Sequence, residues 1–106
     1  MQGIIDGNIG GIFAVSLTLD PASVATITSA EQDFTVPGVL AGDLIIYAGM
    51  TTATAGLGIA GYRVKAANTI SVTFVNPTAG AINATAGNFK LVIMRPESDL
   101  YGGIPS

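Results

Sequence analysis

The chain has no Cys, no His and no Trp in 106 residues, and only 10% of its residues are charged. Without Cys there is no disulfide framework, no thiolate metal site and no cysteine nucleophile. Without His the Ser-His-Asp triad, the imidazole general base and the usual zinc sites are excluded. Four basic residues stand against seven acidic ones, for a net charge of −3. A nucleic-acid partner requires a basic face to neutralise phosphates, and this inventory cannot build a large one. Carboxylates, hydroxyls and three Tyr are all that remain for chemistry, so the chain reads as non-enzymatic. The scarcity of charge also carries a positive expectation. Soluble domains devote about a quarter of their residues to charge, and interspersed charge keeps copies apart. A chain with so little is expected to cover part of its surface with copies of itself or with a partner.

Long apolar runs are lacking too. Leu44 to Tyr62 is an uncharged stretch of 19 residues, the length of a membrane span, but it holds four Gly and three Thr. The uncharged stretch Ala66 to Phe89 is broken by Asn76-Pro77, Asn83 and Asn88. No transmembrane helix and no membrane partner are expected. Met1 to Gly11 contains no Lys or Arg, so it lacks the positive start of a secretory signal.

What is abundant is strand-forming. Gly, Thr, Val and Ile are frequent, while Glu, Lys, Gln and Arg are scarce. In Thr69 to Val75 the residues Ile70, Val72 and Phe74 alternate with Ser71 and Thr73, predicting a strand with one buried and one hydroxyl-lined face. Gly61 to Ala66 alternates Tyr62 and Val64 with Arg63 and Lys65, and Ala67-Asn68 joins the two as a hairpin. Leu44-Ile45-Ile46-Tyr47, within Asp43 to Ala48, reads as a strand covered on both faces. Phe89 to Arg95 is a further strand, and Phe13 to Thr18, Ser23 to Thr28 and Gln32 to Val36 are weaker ones. Asp20-Pro21, Pro37-Gly38, Gly42-Asp43, Asn76-Pro77 and Ala86-Gly87-Asn88 supply the turns. The spacing predicts one all-β domain over residues 12–95, a β-sandwich or jelly-roll-like barrel of about seven or eight short antiparallel strands. Residues 1–11 and 96–106 read as extended N- and C-terminal arms.

Several motifs promise chemistry. Gly56-Leu57-Gly58-Ile59-Ala60-Gly61 fits the dinucleotide fingerprint, but it runs into a strand-like segment, and no Asp or Glu occurs from Leu44 to Pro96. It is read as a Gly-rich loop, and no cofactor is expected. Glu31 with Asp33 and Glu97 with Asp99 are near pairs that a calcium ion or an acid–base mechanism would use. The calcium-loop pattern is absent around both, and they read as solvated turn acids. Asn83-Ala84-Thr85 is a formal glycosylation sequon with nothing else pointing to a secretory route. The seven aromatics read as core, except Tyr101, whose Gly-rich surroundings suit an anchor docking on a neighbour.

The stretch from Phe34 to Arg95 carries Val36-Pro37-Gly38-Val39, Gly42-Asp43-Leu44-Ile45, Gly58-Ile59-Ala60-Gly61-Tyr62-Arg63-Val64 and Thr69 to Ala79, the last ending in Val-Asn-Pro-Thr-Ala. This order resembles small β-rich virion proteins of tailed bacteriophages, of the capsid decoration (cement) kind. The resemblance implies a protein made in the bacterial cytoplasm and carried on the capsid surface. It implies a homotrimer that sits at local threefold positions, clamps neighbouring major capsid subunits and stabilises the shell. On that reading Ile4, Ile5, Ile9 and Ile12 of the N-terminal region, and Leu100, Tyr101 and Ile104 of the C-terminal tail, are the partner-binding residues. Two other expectations stand beside it: a tail, neck or fibre-base protein, and a small carbohydrate- or ligand-binding module using an exposed Tyr47 or Tyr62.

Overall fold

The computed structural model describes residues 9–97. They form six strands, β1 (Ile9–Leu19), β2 (Thr28–Thr35), β3 (Leu44–Met50), β4 (Gly58–Ala66), β5 (Thr69–Asn76) and β6 (Gly87–Pro96), with no helix among the described residues. The strands make two three-stranded sheets, β1-β6-β3 and β2-β5-β4, and every pairing is antiparallel. The protein is all-β, as its composition predicts.

The centre of each sheet holds the most regular alternation in the sequence. Ile70, Val72 and Phe74 of β5 face Phe89, Leu91 and Ile93 of β6 in one core, joined by Val24, Val36, Val39 and Ala48. Fully burying a side chain of this size is worth roughly 1.5–3 kcal/mol, so the two central strands dominate the stability. Phe34 of β2 reaches across the layer, its ring centroid 6.4 Å from those of Phe74 and Phe89. One flank of the layer is closed. β3 runs beside β4 there, and the Tyr62 hydroxyl donates to the Ile46 carbonyl at 3.3 Å.

Loops are tied down by single polar side chains. Pro37-Gly38 makes a turn with Gly38 at φ 93°, a conformation that a side chain would strain. Asn68, at the β4–β5 hairpin, has φ 61°. It accepts from the Gly38 N–H through Oδ1, and its own N–H donates to the Val39 carbonyl at 2.7 Å. Asn76 is fully buried, and its Nδ2 donates to the carbonyls of Val24 and Gly80. Its Oδ1 accepts from the N–H and hydroxyl of Thr78. All its hydrogen-bonding capacity is used, which is what makes burying an amide tolerable.

The differences from expectation have local causes. Ser23 to Thr28 is not a strand up to its last residue. Only Val24 bridges to Ile82, while the Thr26 hydroxyl and the Ile27 N–H both donate to the Thr78 carbonyl and Ile27 has φ 48°. A side chain that bonds nearby backbone offers an alternative to the ladder. The described residues therefore hold six strands, one fewer than the seven candidates. β1 begins at Ile9, so Ile9 to Gly11 of the expected arm are strand, and Pro96 of the expected tail ends β6. The apolar run of β3 is not covered on both faces, because Leu44, Ile46 and Tyr47 are exposed.

Candidate interaction surface

Each sheet turns one face to the core and one outward, and the two outward faces differ in kind. On β2-β5-β4 the outward residues include Glu31 and Asp33 of β2, Ser71 and Thr73 of β5, and Arg63 and Lys65 of β4. β5 lies between the two charged strands, and the long basic side chains reach over it. Arg63 donates twice to Glu31 at 2.9 and 3.0 Å, and Lys65 reaches Asp33 at 2.7 Å. Ser71 lies fully buried beneath them and donates to Asp33 at 2.6 Å. The hydroxyl-lined face of β5 is thus roofed by ion pairs. Hydrogen bonding from Arg63 holds the Glu31 carboxyl below its ordinary value, and hydrogen bonds from Lys65 and then Ser71 do the same for Asp33. These are paired strand acids, not the solvated turn acids their spacing suggested. No cluster of three or more metal-ligating side chains occurs among the described residues.

The outward face of β1-β6-β3 is built from Ile12, Ala14, Ser16 and Thr18, then Asn88, Lys90, Val92 and Met94, then Leu44, Tyr47 and Gly49. Lys90 is its one charged residue. Of the seven large apolar side chains exposed among the described residues, five lie on β1 and β3: Ile12, Phe13, Leu44, Ile46 and Tyr47. Ile46 is the extra residue of a bulge, which is why the run of four apolar residues keeps no strict alternation. Tyr47 folds back along its own strand over Gly49, where an added Cβ would stand 2.5 Å from the hydroxyl. Between Tyr47 and β1, above Lys90, Leu91 and Val92, lies a shallow depression of about 310 Å³. With an apolar sheet face of this kind on one side and an ion-paired face on the other, the first is the candidate contact surface.

One end of the apolar sheet carries a buried ion pair. Arg95 of β6 donates through Nε and Nη2 to the two Asp43 oxygens at 2.9 and 2.8 Å, and its Nη2 also donates to the Gly38 carbonyl. The Leu40 N–H donates to Asp43 as well. Only 1% of the Asp43 side chain is exposed, against 32% for Arg95. Hydrogen bonding from Arg95 holds the Asp43 carboxyl below its ordinary value and raises the guanidinium. The Arg95 guanidinium also stacks 5.1 Å from the centre of the Phe13 ring. Phe13, Val15, Val36, Pro37 and Ile93 line a pocket of about 250 Å³ beside this pair. Gly42-Asp43 reads from sequence as a turn only; a lone acid five residues after Pro-Gly and a lone Arg far downstream give no sign that they meet.

The structure places few of the expected partner-binding residues. Ile9 and Ile12 are in β1, Ile9 half-buried and Ile12 52% exposed on the apolar face. Ile4, Ile5, Leu100, Tyr101 and Ile104 lie outside the described residues. Sequence reasoning missed Leu44 and Ile46, and gave Tyr47 as exposed only for the ligand-binding alternative, because a continuous apolar run looks the same whether both faces are covered or one is left open. It also took Phe13 as core, although that ring is 42% exposed. Gly56 to Gly61 does not form a strand–turn–helix unit. Gly56 is in a turn with φ 82°, and Gly58 opens β4. Asn83 of the sequon is exposed in the β5–β6 connection. No family model, curated protein or solved structure matches the chain.

Proposed function

We propose that this protein is a non-enzymatic structural component of a tailed-phage virion that binds the outer surface of the capsid and stabilises the shell. The observation that supports this reading best is the asymmetry of its two outward faces. Residues Ile12, Leu44, Tyr47, Val92 and Met94 offer an apolar surface fit for burial, while Arg63–Glu31 and Lys65–Asp33 suit the opposite face to water. In this reading the apolar face docks on the major capsid protein. The resemblance supplies the remaining detail: three copies at a local threefold position, terminal arms that extend the contact, and a jelly-roll-like arrangement of seven or eight strands for the whole chain. Many modest contacts on linked copies give avidity without any single strong site. Co-sedimentation with expanded phage capsids tests it. Bound wild-type protein, with binding lost in Leu44→Glu at unchanged circular dichroism, is the expected result. Wild-type protein left in the supernatant would contradict the reading.

A second reading rests on Tyr47. Its ring is half exposed on a flat face, the arrangement a sugar ring stacks on. Tyr62 does not share this position, since its hydroxyl is engaged with the Ile46 carbonyl. A carbohydrate-binding module would be retained on a polysaccharide column and lose retention in Tyr47→Ala, whereas a capsid component would pass through unretained.

A further inference from the structure

The four edge strands of the two sheets are not equally protected. A free edge presents unpaired N–H and C=O groups, and proteins blunt it with charge, Pro, bulges or cover. β2 carries Glu31 and Asp33, and the Gln32 amide clamps Ala22 beside it through two hydrogen bonds. β4 carries Arg63 and Lys65 and is bulged twice. β3 is bulged at Ile46 and lies beside β4. β1 has none of these devices along its length. Its eleven residues, Ile-Gly-Gly-Ile-Phe-Ala-Val-Ser-Leu-Thr-Leu, include no charge and no Pro, and its one irregularity is at the start, between Ile9 and Gly11. Among the described residues β1 pairs with β6 alone, and no loop backbone bonds to it.

We infer that β1 pairs antiparallel with β1 of a second copy, across a twofold axis at Ala14, to make one continuous sheet of order β3-β6-β1-β1-β6-β3. Charge rules out the edges β2 and β4, and the bulge and the neighbouring β4 set β3 apart. Pairing β2 with itself would bring Glu31 and Asp33 against their equals, and pairing β4 with itself would do so for Arg63 and Lys65, whereas β1 meets itself with no charge to oppose. Pairing all eleven residues puts Ala14, the sixth, opposite Ala14 of the other copy, and Ile12 opposite Ser16. The same register sets Phe13 opposite Val15 on the inner side, covering a ring that the single copy leaves 42% exposed. Because the axis is perpendicular to the sheet, both apolar outward faces lie on the same side, so the docking surface doubles without interruption. A twofold contact of this kind joins copies that a threefold axis does not relate, so it adds to a trimer rather than competing with it.

The absence of Cys makes the test direct, since an introduced thiol is the only one in the chain. Residues opposite each other across antiparallel strands have Cβ atoms about 5 Å apart, near enough for a disulfide after small adjustment. Ile12→Cys, Ala14→Cys and Ser16→Cys are made at exposed positions, with Ala67→Cys at the β4–β5 hairpin as a control. Each variant is checked for the wild-type circular dichroism spectrum. Under mild oxidation Ala14→Cys should cross-link alone, and Ile12→Cys should cross-link with Ser16→Cys in an equimolar mixture but with neither itself. Paired thiols held at millimolar effective concentration should react roughly a hundredfold faster than the control at about 10 micromolar protein. Rates equal to the control at all three positions would overturn the inference, as would an edge occupied by the chain's own ends. Self-linking of Ile12→Cys in preference to the mixture would overturn the antiparallel register. Capsid co-sedimentation is scored separately: cross-linking without capsid binding removes only the capsid reading, and the converse removes only the edge pairing.

Discussion

Asp43 and Glu31 are both carboxylates bridged twice by Arg, yet their surroundings give the two pairs different weight. Glu31 and Arg63 stand in water, where ion pairs are screened and contribute little. Asp43 is sealed under Arg95 and the Leu40 N–H, so removing its charge takes the anionic partner from a half-buried guanidinium. Asp43→Asn should therefore lower the unfolding free energy by about 2 kcal/mol, and the loss should persist in high salt. Glu31→Gln should shift the melting temperature only slightly, with the shift vanishing as salt is added. Denaturant titrations at low and high ionic strength separate the two. The acid limb follows from the same residue. The Asp43 carboxyl is held below its ordinary value of 3.8, so its contribution is fully present above that pH and disappears as pH falls through the lower folded-state value. Wild-type stability should drop steeply there, and Asp43→Asn should show a shallower drop over the same window. Asn76 is the other residue on which a loop depends. Asn76→Ala removes the amide bonds to the Val24 and Gly80 carbonyls, leaves the Thr78 N–H without its acceptor and should cost about 3 kcal/mol in the same titrations.

At the scale of elements, legibility tracks how completely a strand's environment obeys the alternation of its side chains. β5 was plain in the sequence because Ile70, Val72 and Phe74 all enter the core. β4 and β5 were plain as a pair because Ala67-Asn68 leaves room only for a hairpin. β1 and β2 were weaker signals, since β1 mixes apolar residues on both faces and β2 carries Glu31 and Asp33 outward from a thin apolar side. The segment at Ser23 to Thr28 has strand-like composition, and only the Thr26, Ile27 and Thr78 bonds remove it from the ladder. Strand order was not legible at all, because β1 and β6 pair across most of the chain. Two valines display what orientation is worth. Val72 and Val92 both sit in central strands, one fully buried in the core and one half-buried on the apolar outward face. Val72→Ala should destabilise the fold by roughly 2 kcal/mol through lost burial and a cavity. Val92→Ala should change the melting temperature of dilute protein little. The expected difference appears in thermal unfolding of the two variants side by side.

For the whole molecule, four of the five connections between successive strands pass from one sheet to the other. Contacts are therefore predominantly long-range in sequence, which places folding in the milliseconds-to-seconds regime typical of all-β domains. During that interval the uncharged β1 and β3 strands are open to association. The finished molecule keeps the same apolar strands on one side and sets two of its three described ion pairs on the other, so scarcity of charge, visible in the sequence, becomes a difference between two faces. Which residues form the apolar face was not legible, because it depends on β1, β6 and β3 becoming neighbours.

If this chain works as an assembly component, its native mass, measured by light scattering across a wide range of concentrations, reveals it. The expected result is a multiple of the 10.6 kDa chain mass that holds on dilution. A single-chain mass at every concentration would contradict it.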